Sequence, residues 1–173
     1  MVVHRKLQAL LLLVPVVAAC HVSVSAGGPD YTKLENAITD ELNKSYAAIN
    51  RTVSSVDCPH QSSLKKGDTF VCTADLEGND VRVQAQATDD DGNLDFKTLD
   101  VVFELPETAK SLSKEISQDQ GFPVTVTCGD GLKVVEIGKS FQCTASDPQG
   151  ETRQVEVTAG GVGETDHWEI VGG

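Results

Sequence analysis

The sequence has no apolar run long enough to cross a membrane. The run from Leu7 to Val17 falls short of the roughly 20 residues that a helix needs to span about 30 Å of hydrocarbon. An uncleaved membrane anchor is therefore not expected. Cations are scarce as well: 14 Lys and Arg face 26 Asp and Glu, a formal net charge of −12 at pH 7. A surface this acidic repels nucleic acid and an anionic membrane face. It favours solubility, and a solvated surface with no partner attached is the expected reading ahead of a basic partner.

Catalytic signatures are missing too. No Gly-x-Ser-x-Gly, Ser-x-x-Lys or phosphate loop is present, and each of these places a nucleophile or an anion cradle at a fixed spacing. His21, His60 and His167 stand apart from one another and from any ligand motif. His60, beside Cys58 and Pro59, reads as a turn residue, and His167 as outward-facing on the last strand. The cysteines lack the close Cys-x-x-Cys spacing of a zinc site. Asp89, Asp91, Asn93 and Asp95 alternate like the first oxygen ligands of a calcium loop, but Leu94 stands where that loop needs glycine. The segment reads instead as a hairpin turn at Asp91-Gly92-Asn93. Gly160-Gly161-Val162-Gly163 leads into acidic residues, not into a helix, and reads as a loop and not an anion site. No metal, no cofactor and no enzymatic activity are expected.

What is present begins at the N-terminus. His4, Arg5 and Lys6 precede the short apolar run, and small residues follow it, which is the anatomy of a secretory signal. The exit Val17-Ala18-Ala19-Cys20 resembles the bacterial lipobox. That resemblance implies cleavage before Cys20, a lipid on its sulfur and attachment to the outer face of the cell membrane, where two acyl chains anchor more firmly than one. An ordinary signal cut after Ala26, discarding Cys20, is the alternative. On the first reading residues 1–19 are the signal peptide. Residues 20–29 are then the lipidated cysteine and a flexible Ser- and Gly-containing tether. Loss of Arg5 and Lys6 makes the mature chain still more acidic.

The remaining chain repeats itself at an offset of about 70 residues. Val56-Asp57-Cys58 lies over Val126-Thr127-Cys128, and Gly67, Phe70 and Cys72 lie over Gly138, Phe141 and Cys143. Both copies read Gly-x-x-Phe-x-Cys-Thr-Ala, with Val81 and Val83 near Val155 and Val157, and Phe96 near Trp168. Each copy opens on a helical period: Tyr31, Leu34, Ile38, Leu42, Tyr46 and Ile49 after Asp30, and Leu105, Ala109, Leu112 and Ile116 around Pro106. Alternation of period two follows, broken by Gly and Asp turns. The expected fold is α+β, as two tandem repeats at residues 30–104 and 105–173. Each packs one N-terminal helix on a roughly four-stranded antiparallel sheet.

Cys58, Cys72, Cys128 and Cys143 form an even set in an exported chain and read as disulfides. Four cysteines allow three connectivities, and the repeat favours pairing within each copy, Cys58 with Cys72 and Cys128 with Cys143. Each bond would close a loop of about 15 residues, worth about 3 kcal/mol, in a unit small enough to need a staple.

Taken together, Val-x-Cys, Gly-x-x-Phe-x-Cys and a closing Trp after a helix resemble a domain of unknown function found in actinobacterial lipoproteins. The resemblance implies an extracytoplasmic envelope location and disulfides, and it brings no catalytic residues. The expected function is that of a non-catalytic, membrane-anchored envelope lipoprotein whose modules bind an envelope protein or a wall component. The alternative is an inhibitor or regulator of a secreted or envelope enzyme.

Overall fold

The computed structural model describes residues 5–6, 30–161 and 163–172. They fall into two compact units, one of residues 30–100 and one of residues 101–172 with 5–6.

In the first unit, helix α1 (Tyr31–Tyr46) starts at Asp30, whose carboxylate accepts the Lys33 backbone N–H at 3.1 Å and so satisfies one of the open amides of the first turn. Tyr31, Leu34, Ile38 and Leu42 are its buried residues, one stripe along the axis. The helix stops short of Ile49. Ala47–Ile49 tighten into a 3-10 turn, and Asn50 takes a left-handed conformation at φ 53°, which Asn tolerates better than most side chains. The chain then reverses into a four-stranded antiparallel sheet, β2 (Val53–Asp57), β3 (Thr69–Leu76), β4 (Asn79–Ala87) and β5 (Leu94–Thr98), in sequential order. Phe70, Cys72, Ala74 and Leu76 of β3 and Val81, Val83, Ala85 and Ala87 of β4 are buried, so every second residue faces the core. The β3–β4 reversal puts Glu77 and Gly78 at φ 55° and 82°, the double positive φ that a two-residue hairpin needs.

In the second unit, β1 is the dipeptide Arg5–Lys6, and β6 (Asp100–Glu104) crosses the division between the units. Helix α2 (Leu105–Gln120) is capped by Glu104, carries Pro106 in its first turn and ends at Gly121, φ 77°. Its buried stripe is Leu105, Thr108, Leu112 and Ile116. Thr108, not Ala109, takes the core position, because its hydroxyl donates to the Glu104 carbonyl at 2.9 Å and needs no other partner. Strands β7 (Thr125–Thr127), β9 (Ser140–Ser146), β10 (Thr152–Thr158) and β11 (His167–Val171) form an antiparallel sheet, with β1 beside β11. β8 (Leu132–Glu136) pairs with β6 in a separate two-stranded sheet, which the alternation pattern had not suggested. The core gathers Phe103, Leu112, Ile116, Phe141, Val155, Val157 and Trp168, among others, with Phe103 and Phe141 edge to face at 4.9 Å.

The fold is thus mixed α+β, with helix packed against antiparallel sheet and disulfides in the core. Among the described residues, no helix is long and apolar enough to cross a membrane.

Candidate functional site

Cys58 is bonded to Cys72 and Cys128 to Cys143, at sequence separations of 14 and 15. Each bond ties the residue just after an edge strand, β2 or β7, to the neighbouring strand. Cys58, Cys72 and Cys143 are buried, so these sulfurs serve the core and present no reactive thiol. Cys20, the residue read as lipidated, and His21 lie outside the described residues.

Polar side chains of the helices stitch the start of each sheet in place. In the first unit Glu35 accepts the Cys58 N–H at 3.1 Å and Asn43 the Val53 N–H at 2.7 Å. The Tyr31 hydroxyl accepts the Gln61 N–H at 2.7 Å, and its ring stacks on His60 at 4.3 Å. His60 is therefore an exposed loop residue held on an aromatic face, a contact the sequence did not suggest. In the second unit Ser113 accepts the Val126 N–H at 2.8 Å and Ser117 the Val124 N–H at 2.7 Å. The Trp168 indole N–H donates to Glu115 at 3.1 Å. These contacts explain why helix and sheet hold so small a core together: edge-strand amides that face away from the sheet still find acceptors.

A DUF4333 domain is found at residues 15–92. That family is a domain of unknown function. No curated protein and no solved structure matches the chain. The DUF4333 segment takes in α1, β2, β3, β4 and the Cys58–Cys72 bond, and it ends just before β5.

The sheet of the DUF4333 segment shows a polar surface on the side away from the core. Thr69, Val71 and Thr73 of β3 stand opposite Gln86, Gln84 and Arg82 of β4, and Val71 is exposed among them. The sheet of residues 101–172 does the same with Ser140, Gln142 and Thr144 opposite Thr158, Glu156 and Gln154. Short hydroxyl and amide side chains on a stiff sheet can hydrogen-bond a partner's surface. The depression of ≈ 440 Å³ lined by Glu151, Thr152, Arg153, Gln154, Val171 and Gly172 is open to solvent.

Two buried carboxylates were not legible in advance. Asp100 accepts from the Arg82 guanidinium at 2.6 and 3.0 Å and from the Arg82 backbone N–H at 2.8 Å, a two-pronged, charge-assisted contact. Burial, and then the nearby Asp100 charge, push the Tyr46 phenol well above its ordinary range. Asp166 accepts the Gly160 N–H at 2.8 Å through Oδ1, while its buried Oδ2 has no hydrogen-bond partner. Burial holds the Asp166 carboxyl above the usual range, against the opposing pull of that bond and of His167.

In the acidic segment at residues 89–95, one carboxylate organises the loop. Asp89 accepts the backbone N–H groups of Asp91 and Asn93 at 2.9 and 3.1 Å and the Asn93 side-chain amide as well. Those bonds, the Asn93 side chain foremost, hold its carboxyl below the usual range, and Asp90 accepts the Lys66 N–H at 2.7 Å. The loop is a hydrogen-bonded turn. Among the described residues, no group of three or more His, Cys, Asp or Glu could hold a metal ion.

Proposed function

We propose that this protein is a non-catalytic lipoprotein of an actinobacterial cell envelope, exported and held at the outer face of the membrane by lipid on Cys20. Its two units, on this reading, are copies of one module that binds another envelope protein or a wall component. The observation that carries the reading is the use of the cysteines. Four of the five pair with each other in two disulfides. The fifth stands alone at the end of a short apolar run, after Ala18-Ala19.

The copy reading is supported at the level of single hydrogen bonds. Gly67 donates to the Ala87 carbonyl at 2.8 Å, Ala87 to Asp68 at 2.9 Å, and Asp68 to Lys65 at 2.9 Å. Gly138, Ala159 and Lys139 repeat the circuit: Gly138 to Ala159, Ala159 to Lys139, and Lys139 to Glu136, each at 2.9 Å. Both glycines have positive φ, 93° and 80°, where a side chain would strain the turn. Val83 faces Cys72 across its ladder as Val155 faces Cys143, so Val155 answers to Val83 and not to Val81. Phe96 and Trp168 fall at matching places, opposite Ala85 and Val157.

Intact-mass measurement of the membrane fraction, with Cys20→Ala beside wild type, tests the anchor. The expected result is a chain beginning at Cys20 and carrying a diacylglyceryl mass in wild type, with the variant unlipidated. An unmodified soluble chain beginning at Gly27 would overturn it. Cross-linking in intact envelopes followed by mass spectrometry tests the binding role. Recovery of an envelope protein or wall fragment supports the role, and recovery of an enzyme that loses activity when bound replaces it with inhibition.

A further inference from the structure

Two Asp-Gly pairs lie in loops of the chain, Asp91-Gly92 and Asp130-Gly131. In such a pair the aspartate side-chain carbon and the next backbone nitrogen can close a five-membered ring. Glycine, having no Cβ, leaves that nitrogen accessible and the backbone free to turn. Whether the ring closes depends on what holds the nitrogen and the carboxyl in place.

The two pairs differ in that respect. Asp89 clasps the first. Its carboxylate accepts the N–H groups of Asp91 and Asn93 at 2.9 and 3.1 Å, and the Gly92 N–H bears on it as well. The Gly92 nitrogen has to be drawn away from an anion before it can attack. Asp130-Gly131 has no such clasp. Residues 129–131 are exposed, between the end of β7 and the start of β8. Among the described residues, no hydrogen bond holds the Asp130 carboxyl or the Gly131 N–H. A side-chain carbon at Gly131 would meet nothing within 4 Å, so there is room for the backbone to rotate.

We propose that Asp130-Gly131 is a self-modification site, at which the folded protein converts its own backbone through a succinimide to isoaspartate. The Gly131 nitrogen attacks the Asp130 side-chain carboxyl carbon. A C–N bond forms, a C–O bond breaks, and the carboxyl hydroxyl leaves with the amide proton as one water. The ring then takes up one water at either carbonyl. One opening restores aspartate, and the other routes the main chain through the side-chain carbon. Nothing is oxidised or reduced, and the only co-reactant is water. The isoaspartate adds a methylene to the main chain between Cys128, bonded to Cys143, and the Gly131 carbonyl, which accepts the Leu105 N–H at 2.9 Å where α2 begins. The modification therefore lengthens the link between the second disulfide and the start of α2.

The test holds the purified, folded protein at neutral pH for several weeks. Peptide mapping with fragmentation that distinguishes isoaspartate from aspartate then follows both pairs. Isoaspartate, with a minor species lighter by one water, is expected at residue 130. It should form there about tenfold faster than at residue 91, the factor that roughly 1.4 kcal/mol of extra barrier produces, since a hydrogen bond to a charged group is at least that strong. In urea with the disulfides reduced, the two pairs should react at like rates. Asp89→Ala removes the clasp and should raise the rate at residue 91 toward that at residue 130, while Asp130→Glu, whose ring would be six-membered, should leave residue 130 unmodified. Equal rates in the folded wild-type chain, or faster reaction at residue 91, would overturn the proposal. So would a preference for residue 130 that persists unchanged in urea, because the difference would then come from the sequence and not from the fold.

Discussion

At the scale of single residues, the buried polar atoms carry the sharpest expectations. Asp166 keeps its proton in the folded chain at pH values where the unfolded chain has already released it, because burial raises its pKa. Stability therefore falls as pH rises from the ordinary carboxylate range through the folded value. Asp166→Asn keeps an oxygen for the Gly160 N–H and removes the titration. Urea unfolding at pH 4 and pH 7 should show the variant gaining on wild type as pH rises, and an unchanged difference would mean that Asp166 titrates alike in both states. Asp75 and Asp89 shift the opposite way, lowered first by Ser54 and by Asn93 respectively, but they are common to both chains and cancel in the comparison. Asp166→Ala should instead cost about 1–3 kcal/mol at pH 4, since the Gly160 amide loses its acceptor, and less at pH 7, because it too removes the titration. Ser117→Ala leaves the Val124 N–H without its helix partner and belongs to the same class, about 1–3 kcal/mol by chemical denaturation.

At the scale of elements, the parts of the fold that periodicity controls were legible and the parts that single contacts control were not. Leu34, Ile38 and Leu42 recur at helical spacing, and Phe70, Cys72, Val81 and Val83 alternate, because burial on one face leaves no other pattern. The end of α1 was misplaced by a turn because Ile49 fits the helical stripe, while the left-handed Asn50 that reverses the chain has no periodic signal. Strand β8 went unseen because its partner β6 is short and its burial irregular. Ser113, Ser117, Glu35 and Asn43 read as ordinary polar helix residues, yet each accepts an amide from an incoming strand. Such stitches depend on the approach of another element, which no local pattern records. Two element-scale outcomes follow. Leu34→Ala should cost about 2–5 kcal/mol, since a fully buried side chain leaves a cavity against α1. Replacing Cys128 and Cys143 together with Ala should cost about 3 kcal/mol, the chain entropy of a loop this long, read as a lower urea midpoint than wild type.

At the scale of the whole molecule, charge decides more than any single bond. With 26 acids against 14 Lys and Arg, the folded chain holds its carboxylates closer together than the unfolded one does, and self-repulsion opposes compaction. At about 10 mM salt the screening length is about 30 Å, which lets repulsion act across a small unit, whereas at 0.15 M it is about 8 Å. The surface pairs Lys44–Glu41 and Lys110–Glu107 are themselves screened and exposed, so they lose little that matters when salt is added. The Arg82–Asp100 contact, with its carboxylate buried, is shielded from solvent ions and keeps its strength. Adding salt should therefore stabilise the protein on balance. Thermal unfolding at pH 7 is expected at a higher temperature in 0.15 M than in 10 mM sodium chloride. The gap should close as pH approaches the sequence pI of about 4.6, where the net charge vanishes. A melting temperature that falls on adding salt at pH 7 would mean that favourable ion pairs, not repulsion, dominate the surface of this acidic chain.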